Sequence, residues 1–200
     1  MGGPSNAFPM NGGEGPHSYS RNSSGQRKFI DRARKLIQEA VAEHLNIEAF
    51  SSSGAFLVAD LGCSAGPNTL YAVSNVLQAV EQKCQSLGLD SQILEFQVFF
   101  NDHVGNNFNT LFRSLPQDRR YHAASVQGSF FAAYSPKTVS TLFTLPSLFI
   151  GFQELQKKFR TSSPAWNKGR IFYPNANKDI IKAYAAQFAK DMEVFLRARA

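Results

Sequence analysis

The residues of this chain that could do chemistry surround one short stretch, residues 56–70, which reads FLVADLGCSAGPNTL. An apolar run ends there at Asp60, and Gly62 and Gly66 punctuate the turn that follows. Glycines remove side chains from a turn, so that a ligand can approach the backbone and the free amides of the next helix. A second acid, Asp102, ends the next apolar run. A carboxylate in that place can accept hydrogen bonds from both hydroxyls of a ribose.

An acid at the end of each of two apolar runs, with a glycine turn between them in the sequence, predicts a site for an adenosyl cofactor. The turn reads GCSAG over residues 62–66, so the dinucleotide-binding pattern G-x-G-x-x-G is absent. An alternative interpretation is that Asp60 and Asp102 only cap turns.

The same five residues also match G-x-S-x-G, the nucleophile elbow of α/β-hydrolases. Ser64 would then be the nucleophile, and an acid followed by a histidine should complete a triad. The required order is met by Asp90 or Asp102 followed by His103 or His122. Neither histidine lies in a distinctive sequence context, which leaves the hydrolase as an alternative hypothesis.

The elements that must position these residues follow from hydrophobic periodicity. The run AFLVADL has the character of a strand buried on both faces of a parallel sheet, and Pro67 suits the first turn of the helix after it. Strands and helices alternate, which predicts one domain with an α/β fold and a doubly wound parallel sheet. The predicted helices are 26–50, one starting at 67, one within 106–115 and 177–200; the predicted strands are 55–61, 93–102 and 121–130.

Charge and composition argue against several classes of protein. The net charge is +6, but the 21 basic residues are spread along the chain, so no nucleic-acid site is predicted. No apolar run reaches the roughly 18 residues of a membrane span. Cys63 and Cys84 have neither zinc-site spacing nor enough partners for a disulfide framework, and we expect a cytoplasmic protein. Residues 1–25 are rich in Gly, Ser, Asn and Pro, which predicts either a flexible tail or a flap that a ligand orders.

Several stretches, taken in order, resemble the SABATH family of plant carboxyl and N-methyltransferases, which use S-adenosylmethionine. They are MNGGEGPHSYSRNSSGQRK (10–28), DLGCSAGPNT (60–69), FFNDHVGNNFNTLF (99–112) and SVQGSFF (125–131), with further similarity at 163–173 and 183–199. The resemblance implies a Rossmann-like class I methyltransferase fold.

The same resemblance implies a role for each matching residue. Asp102 would hold the ribose, and His103, where the family usually has leucine, would lie against the adenine. Gln26 matches the family's contact to the substrate carboxylate. The other implied cofactor contacts are Tyr19, Ser23, Asp60, Cys63 and Asn68 around the methionine portion, and Ser129 with Phe130 in the nucleoside pocket.

The implied reaction transfers a methyl group from S-adenosylmethionine to the carboxylate of a small organic acid of the salicylate, benzoate, jasmonate, indole-acetate or farnesoate class. A carboxylate is already ionised at neutral pH, so no catalytic side chain is expected and positioning does the work. Asn167 matches one ligand of a Mg²⁺ site in some members, although it could equally be a turn asparagine. Homodimers are common in the family.

Two features depart from the family pattern. Residues 132–153 lack the family's aromatic acceptor segment, and permitted codons read two bases later recover it, which suggests a disrupted reading frame. Family members also continue beyond the last helix of this chain with further strands and a helical cap. We therefore expect a partial domain, for which an inactive cofactor-binding remnant is the alternative to an active enzyme.

Overall fold

The computed structural model describes residues 10–51, 54–90, 94–129, 141–144 and 175–197. The helices are α1 (Tyr19–Asn22), α2 (Ser24–His44), α3 (Glu48–Ser51), α4 (Pro67–Ser86), α5 (Phe108–Arg113) and α6 (Lys178–Arg197). The strands are β1 (Ala55–Leu61), β2 (Glu95–Asp102), β3 (Tyr121–Gln127) and β4 (Thr141–Thr144). Helix α6 belongs to a second compact unit, and every other element belongs to the first.

The four strands form one parallel sheet in the order β3-β2-β1-β4. The chain moves outward from β1 to β2 and β3, and β4 then lies on the other side of β1. This reversal is the topological switch point at which open α/β sheets bind ligands, beyond the carboxyl ends of the strands. The predicted doubly wound parallel sheet is confirmed.

The first compact unit has its core between the sheet and α4. Alternate residues of β1 and β2 are buried on one face of the sheet, where they meet the apolar face of α4. The other face of β1, including Leu57 and Ala59, is partly exposed, so the prediction of complete burial on both faces is wrong. The residues that form this core layer are Phe56, Val58, Phe96, Val98 and Phe100 from the strands and Val73, Val76 and Val80 from the helix.

Helices α2 and α4 lie side by side and run in the same direction. Three cross-contacts share one sequence offset of 44: the Arg27 guanidinium lies 3.1 Å from the centre of the Tyr71 ring, Arg34 donates to Gln78, and Gln38 donates to Gln82. A constant offset requires parallel axes, because antiparallel helices would pair residues with a constant sum. The amino termini of both helices therefore lie at the same end.

Most predicted elements are present with shifted ends. Strand β1 has the predicted bounds, and α4 begins at Pro67 as expected. The first long helix ends at His44 instead of Phe50, and the short α3 follows it. Strand β4 lies inside the segment where the sequence shows neither helical nor strand periodicity. The other residues of 132–153 lie outside the described residues, so the reading-frame hypothesis stays a prediction.

Helix α6 is amphipathic, as its sequence pattern predicts. Ile180, Tyr184 and Phe195 are buried, and the Asn177 side chain accepts the Ile180 N–H (2.8 Å) at the start of the helix. Phe188, also expected on the buried face, keeps about a third of its surface exposed. Among the described ranges, no helix is long and apolar enough to span a membrane.

We expect Phe56→Ala to lower the free energy of unfolding by about 3–5 kcal/mol. Phe56 is fully buried and packs edge-on against Phe50 and Phe96, with ring centres 5.0 and 6.0 Å apart. Phe29→Ala is the matched control, because that ring is 66% exposed and its loss should change stability by less than about 0.5 kcal/mol. Denaturant titration measures both values, and equal losses would contradict the assigned core.

Candidate functional site

The turns after β1 and β2 are joined at the carboxyl edge of the sheet. The N–H groups of Gly62 and Cys63 both donate to the Asn101 carbonyl, at 2.8 and 3.0 Å. The Ser64 N–H donates to Asp102 Oδ2 at 2.6 Å. The glycine turn and the second acid, which the sequence separates by 38 residues, therefore form one structure.

The glycine turn contains two residues with left-handed backbone conformation. Gly62 has φ +79°, which glycine adopts without strain. Ser64 has φ +56°, which is uncommon for a residue with a side chain. Its peptide groups are held on both sides, because Asp102 accepts its N–H and the Asn106 side chain donates to its carbonyl (3.0 Å).

Asp102 is partly buried and accepts two backbone hydrogen bonds. The Ser64 N–H meets one carboxylate oxygen, and the His103 N–H meets the other (2.7 Å). Burial raises the pKa of Asp102, while these two bonds and the nearby His103 oppose the rise. Each oxygen keeps a lone pair for a further donor, so the carboxylate can still bind ligand hydroxyls.

Asp60 lies deeper than Asp102, with no exposed surface, and the Thr69 hydroxyl donates to it. Cys63, in the glycine turn, is also buried. Burial, followed by the charges of Asp60 and Asp102, raises the pKa of the Cys63 thiol far above its usual range. Cys63 is therefore protonated and cannot serve as a thiolate nucleophile.

The N-terminal segment closes over the glycine turn. A Cβ at Gly66 would lie 2.8 Å from Cδ1 of the Tyr19 ring, so the absent side chain is what admits Tyr19. The Tyr19 hydroxyl is hydrogen-bonded to Asn68, whose Nδ2 donates to the Ser23 carbonyl (3.0 Å). Tyr19 and Ser23 of the N-terminal segment and Asn68 at the start of α4 therefore form one wall beside the glycine turn.

The charges of the Asp60 and Asp102 carboxylates both raise the pKa of the Tyr19 hydroxyl. Burial raises the pKa of Tyr19 most, the hydrogen bond to Asn68 opposes the rise, and the charges of Asp60 and Asp102 add to it. The same two charges act on Cys63. The charges of Asp60 and Asp102 therefore both reach Tyr19 and Cys63.

The remaining predicted site residues lie nearby or outside the described residues. Gln26 is partly buried in the first turn of α2, three residues after Ser23. His103 is partly exposed, and its Nδ1 accepts the Gly105 N–H (3.0 Å). Phe130 and Asn167 lie outside the described residues, so their predicted roles have no structural description.

Ser129 is exposed and lies two residues beyond the end of β3. The end of β3 is fastened to β2, because Asn101 Nδ2 donates to the carbonyls of Val126 (2.8 Å) and Gly128 (3.1 Å). The Gly128 N–H also donates to the Asp102 carbonyl at 2.9 Å. These bonds keep Ser129 at the edge that carries Asp102.

The geometry around Ser64 does not support a hydrolase triad. Ser64 Oγ is buried and has no hydrogen-bond partner among the described residues. His103, the nearest candidate base in sequence, uses its Nδ1 to accept a backbone N–H. A serine nucleophile needs a histidine within hydrogen-bond reach, and the described residues supply none.

Sequence reasoning missed Asn106 and Asn101. Both are buried, at 8% and 1% exposure, and their side-chain amides hold the backbone of neighbouring turns. The asparagine-rich stretch GNNFN after β2 was available as a signal, since asparagine favours turns and caps. Within the described ranges no group of three or more His, Cys, Asp or Glu side chains could hold a metal ion.

The chain matches known proteins over nearly its whole length. The family of SAM-dependent carboxyl methyltransferases matches residues 5–200. The chain belongs to this family. The resemblance to SABATH methyltransferases, based on the motifs around Asp60 and Asp102, is confirmed.

The relatives within the family are named for different small molecules. Loganic acid O-methyltransferase of Catharanthus roseus is 46% identical over 97% of this chain and 53% of that protein. Farnesoic acid carboxyl-O-methyltransferase of Arabidopsis thaliana is 39% identical over 98% of this chain and 56% of that protein. Paraxanthine methyltransferase 2 of the same plant is 40% identical over 96% of this chain and 54% of that protein. The chain thus spans about half the length of the curated relatives it matches.

The solved structure of a loganic acid methyltransferase with SAH is similar in fold. Its TM-score is 0.79 at 44% sequence identity, and the match covers 96% of this chain and 54% of the other. This similarity confirms the Rossmann-like methyltransferase fold that the sequence motifs implied.

We expect Gly66→Ala to open the N-terminal segment without unfolding the core. The new Cβ would overlap the Tyr19 ring, whereas the backbone of Gly66, at φ −109°, accepts alanine without strain. Hydrogen exchange of residues 10–23 and tryptic cleavage after Arg21 should both become faster. Gly25→Ala is the control, because a Cβ there meets nothing within 4 Å. Unchanged exchange in Gly66→Ala would contradict the Tyr19 contact.

Proposed function

We propose that the carboxyl edge of the sheet binds S-adenosylmethionine, and that the chain uses it to methylate the carboxylate of a small organic acid. The observation that carries this proposal is that the charges of Asp60 and Asp102 act on the same side chains, beside a glycine turn whose Ser64 N–H is bound by Asp102. The family and the names of the relatives support the same chemistry.

The residues present fit such a cofactor. Ribose hydroxyls need acceptors, which Asp102 offers, and a sulfonium cation is favoured near the acidic pair and the Tyr19 ring. The absent side chain at Gly66 lets the Tyr19 ring lie against the glycine turn, where it can face the donor. The buried Ser64 hydroxyl, which has no partner among the described residues, is available to a ligand.

Each predicted contact keeps its proposed role. The proposed methionine wall is Tyr19, Ser23, Asp60, Cys63 and Asn68, and the proposed nucleoside contacts are Asp102, His103, Ser129 and Phe130. Gln26 is proposed to contact the acceptor carboxylate, since it lies in the first turn of α2, three residues after the N-cap Ser23. We propose that residues 1–200 form one partial domain whose N-terminal residues act as the flap over this edge.

Catalysis in this proposal depends on positioning. When bound, S-adenosylmethionine supplies an activated methyl group. The acceptor carboxylate is ionised at neutral pH, so the chain needs no general base. Holding the acceptor in line with the methyl group can supply about 7–11 kcal/mol of the barrier reduction. No step is assigned to Mg²⁺, because its one predicted ligand, Asn167, lies outside the described residues.

Compartment and assembly remain proposals as well. Cys63 and Cys84 are both buried and free, which suits a reducing compartment such as the cytosol. We propose a homodimer because homodimers are common in the family. Sedimentation of the purified chain tests this proposal.

Titration with S-adenosylhomocysteine tests cofactor binding. We expect Asp102→Asn to weaken this affinity about 10- to 100-fold, because a charged acceptor is lost and an amide then faces two backbone N–H groups. Asp118→Asn is the matched control, since that exposed acid precedes β3 at the opposite edge of the sheet. Equal affinity in the parent and Asp102→Asn would contradict the ribose role.

A radiolabelled methyl-transfer assay tests the reaction. The acceptors are benzoic, salicylic, jasmonic, indole-acetic, farnesoic and loganic acids, with paraxanthine as a nitrogen acceptor. Transfer to an acid supports the proposal, and binding without any transfer supports an inactive remnant. Ester hydrolysis that Ser64→Ala abolishes would instead revive the hydrolase alternative.

The affinity for S-adenosylhomocysteine should fall on acidification at a pH above the ordinary aspartate pKa of about 3.9. Burial raises the pKa of Asp102, so the carboxylate proposed to accept the ribose hydroxyls becomes protonated at a higher pH than an ordinary aspartate does. Titration calorimetry of the parent and of Asp102→Asn, over the pH range in which Asp102 becomes protonated, measures this effect. The affinity of the variant should not fall there, because asparagine does not titrate.

Without ligand, the ionisation of Asp102 should have the opposite pH dependence: the folded protein should become more stable, not less, on acidification. Its folded-state pKa is raised, so its stabilising contribution is fully present below the unfolded-state pKa and is lost as pH rises through the folded-state pKa. The free energy of unfolding of the parent relative to Asp102→Asn should therefore decrease with rising pH. An increase would contradict burial as the dominant cause.

A further inference from the structure

The side chain of Asn106 joins the two turns that build the proposed site. It follows β2 in the turn before α5, and only 8% of its surface is exposed. Its Nδ2 donates to the Ser64 carbonyl at 3.0 Å and lies 3.8 Å from Cys63 Sγ. Its own N–H donates to the His103 carbonyl at 2.8 Å, which fixes the turn that carries it.

Ser64 needs such a restraint because its backbone is left-handed. A residue with a side chain leaves φ +56° readily unless neighbouring groups hold its peptides. Asp102 holds the N–H of Ser64, and Asn106 holds its carbonyl. Loss of the second contact frees the peptide that follows Ser64 and lets the N–H swing away from Asp102.

We propose, on the basis of the proposed function, that Asn106 is a positioning residue of the cofactor site, which fixes the left-handed Ser64 so that its N–H keeps the Asp102 carboxylate in place. Asn106 does not touch the reacting groups in this role. It acts through the Ser64 backbone on the carboxylate that is proposed to hold the ribose.

A second observation links this pair of residues to a ligand. Asn106 Oδ1 and Ser64 Oγ are both buried, and neither has a hydrogen-bond partner among the described residues. Buried polar atoms are almost always paired with protein, water or ligand. Asn106 uses the donor end of its amide for the Ser64 carbonyl and leaves the acceptor end available.

The Asp102 titration offers a readout that a purely structural role would not move. The Ser64 N–H is one of the bonds that hold the pKa of Asp102 down. The titratable groups that share this environment are His103 beside it, Tyr19 from α1 and Cys63 from the glycine turn, with Asp60 acting on the last two. A change of the Asn106 side chain removes no titratable group, and Cys63, whose Sγ lies 3.8 Å from Asn106 Nδ2, is the one of these groups that the side chain contacts.

The test compares Asn106→Leu with Asn107→Ala in the 200-residue chain. Leucine keeps the buried volume but cannot donate to the Ser64 carbonyl, and Asn106→Ala is the second variant if leucine does not pack. Asn107 is the matched control, because its Oδ1 accepts the Thr110 N–H (3.0 Å) as the cap of α5. Alanine there keeps the Cβ that packs against Gly12.

Carboxyl ¹³C NMR of the ligand-free protein should show a higher Asp102 pKa in Asn106→Leu and an unchanged one in Asn107→Ala. The affinity for S-adenosylhomocysteine should fall about tenfold in the first variant and less than about twofold in the control. Ser64→Gly should recover much of the loss in an Asn106→Leu background, because glycine adopts the left-handed conformation without restraint.

An Asp102 titration that is the same in Asn106→Leu, Asn106→Ala and the parent would overturn the positioning role. Equal losses of affinity in the Asn106 and Asn107 variants would also overturn it. Failure of the parent chain to bind S-adenosylhomocysteine would contradict the proposed function instead, and the ligand-free titration would still decide whether Asn106 holds Ser64 and Asp102.

Discussion

The parallel pairing of β1 with β2 is the constraint on which the candidate site depends. It brings both carboxyl ends to one edge, and its register places Leu61 opposite Asn101. The next amides of the glycine turn then reach the Asn101 carbonyl and the Asp102 carboxylate. A slip of one residue would turn Asp102 to the other face of the sheet, so the buried apolar faces of the two strands also fix the site.

A second parallel pairing, of α2 with α4, delivers the N-terminal segment to the same edge. Because both helices run in one direction, the start of α2 lies beside the start of α4. Tyr19 then reaches Gly66, and Asn68 reaches the Ser23 carbonyl. The wall over the glycine turn is therefore a consequence of helix packing, and the glycine only makes room for it.

Local signals in the sequence predicted what depends on a few neighbouring residues. The apolar run fixed the bounds of β1, and Pro67 marked the start of α4, because each effect acts within one element. The acids at two strand ends could be placed at one edge once the sheet was taken as parallel. The contacts of Asn106 with Ser64 and of Gly66 with Tyr19 could not be predicted, since they join residues 42 and 47 positions apart. Strand β4 could not be predicted either, because it lies in a segment without periodicity.

The electrostatics of the site also suit methyl transfer from a sulfonium donor. A thiolate next to an activated methyl group would compete with the acceptor carboxylate, because the thiolate is the nucleophilic form of cysteine. Cys63 lies in the proposed methionine wall, where burial and the charges of Asp60 and Asp102 raise its pKa and keep it protonated. The same two carboxylates that favour a cationic donor therefore suppress the nearest competing nucleophile. Burial and the two acids together make a cysteine in this wall compatible with a methyl donor.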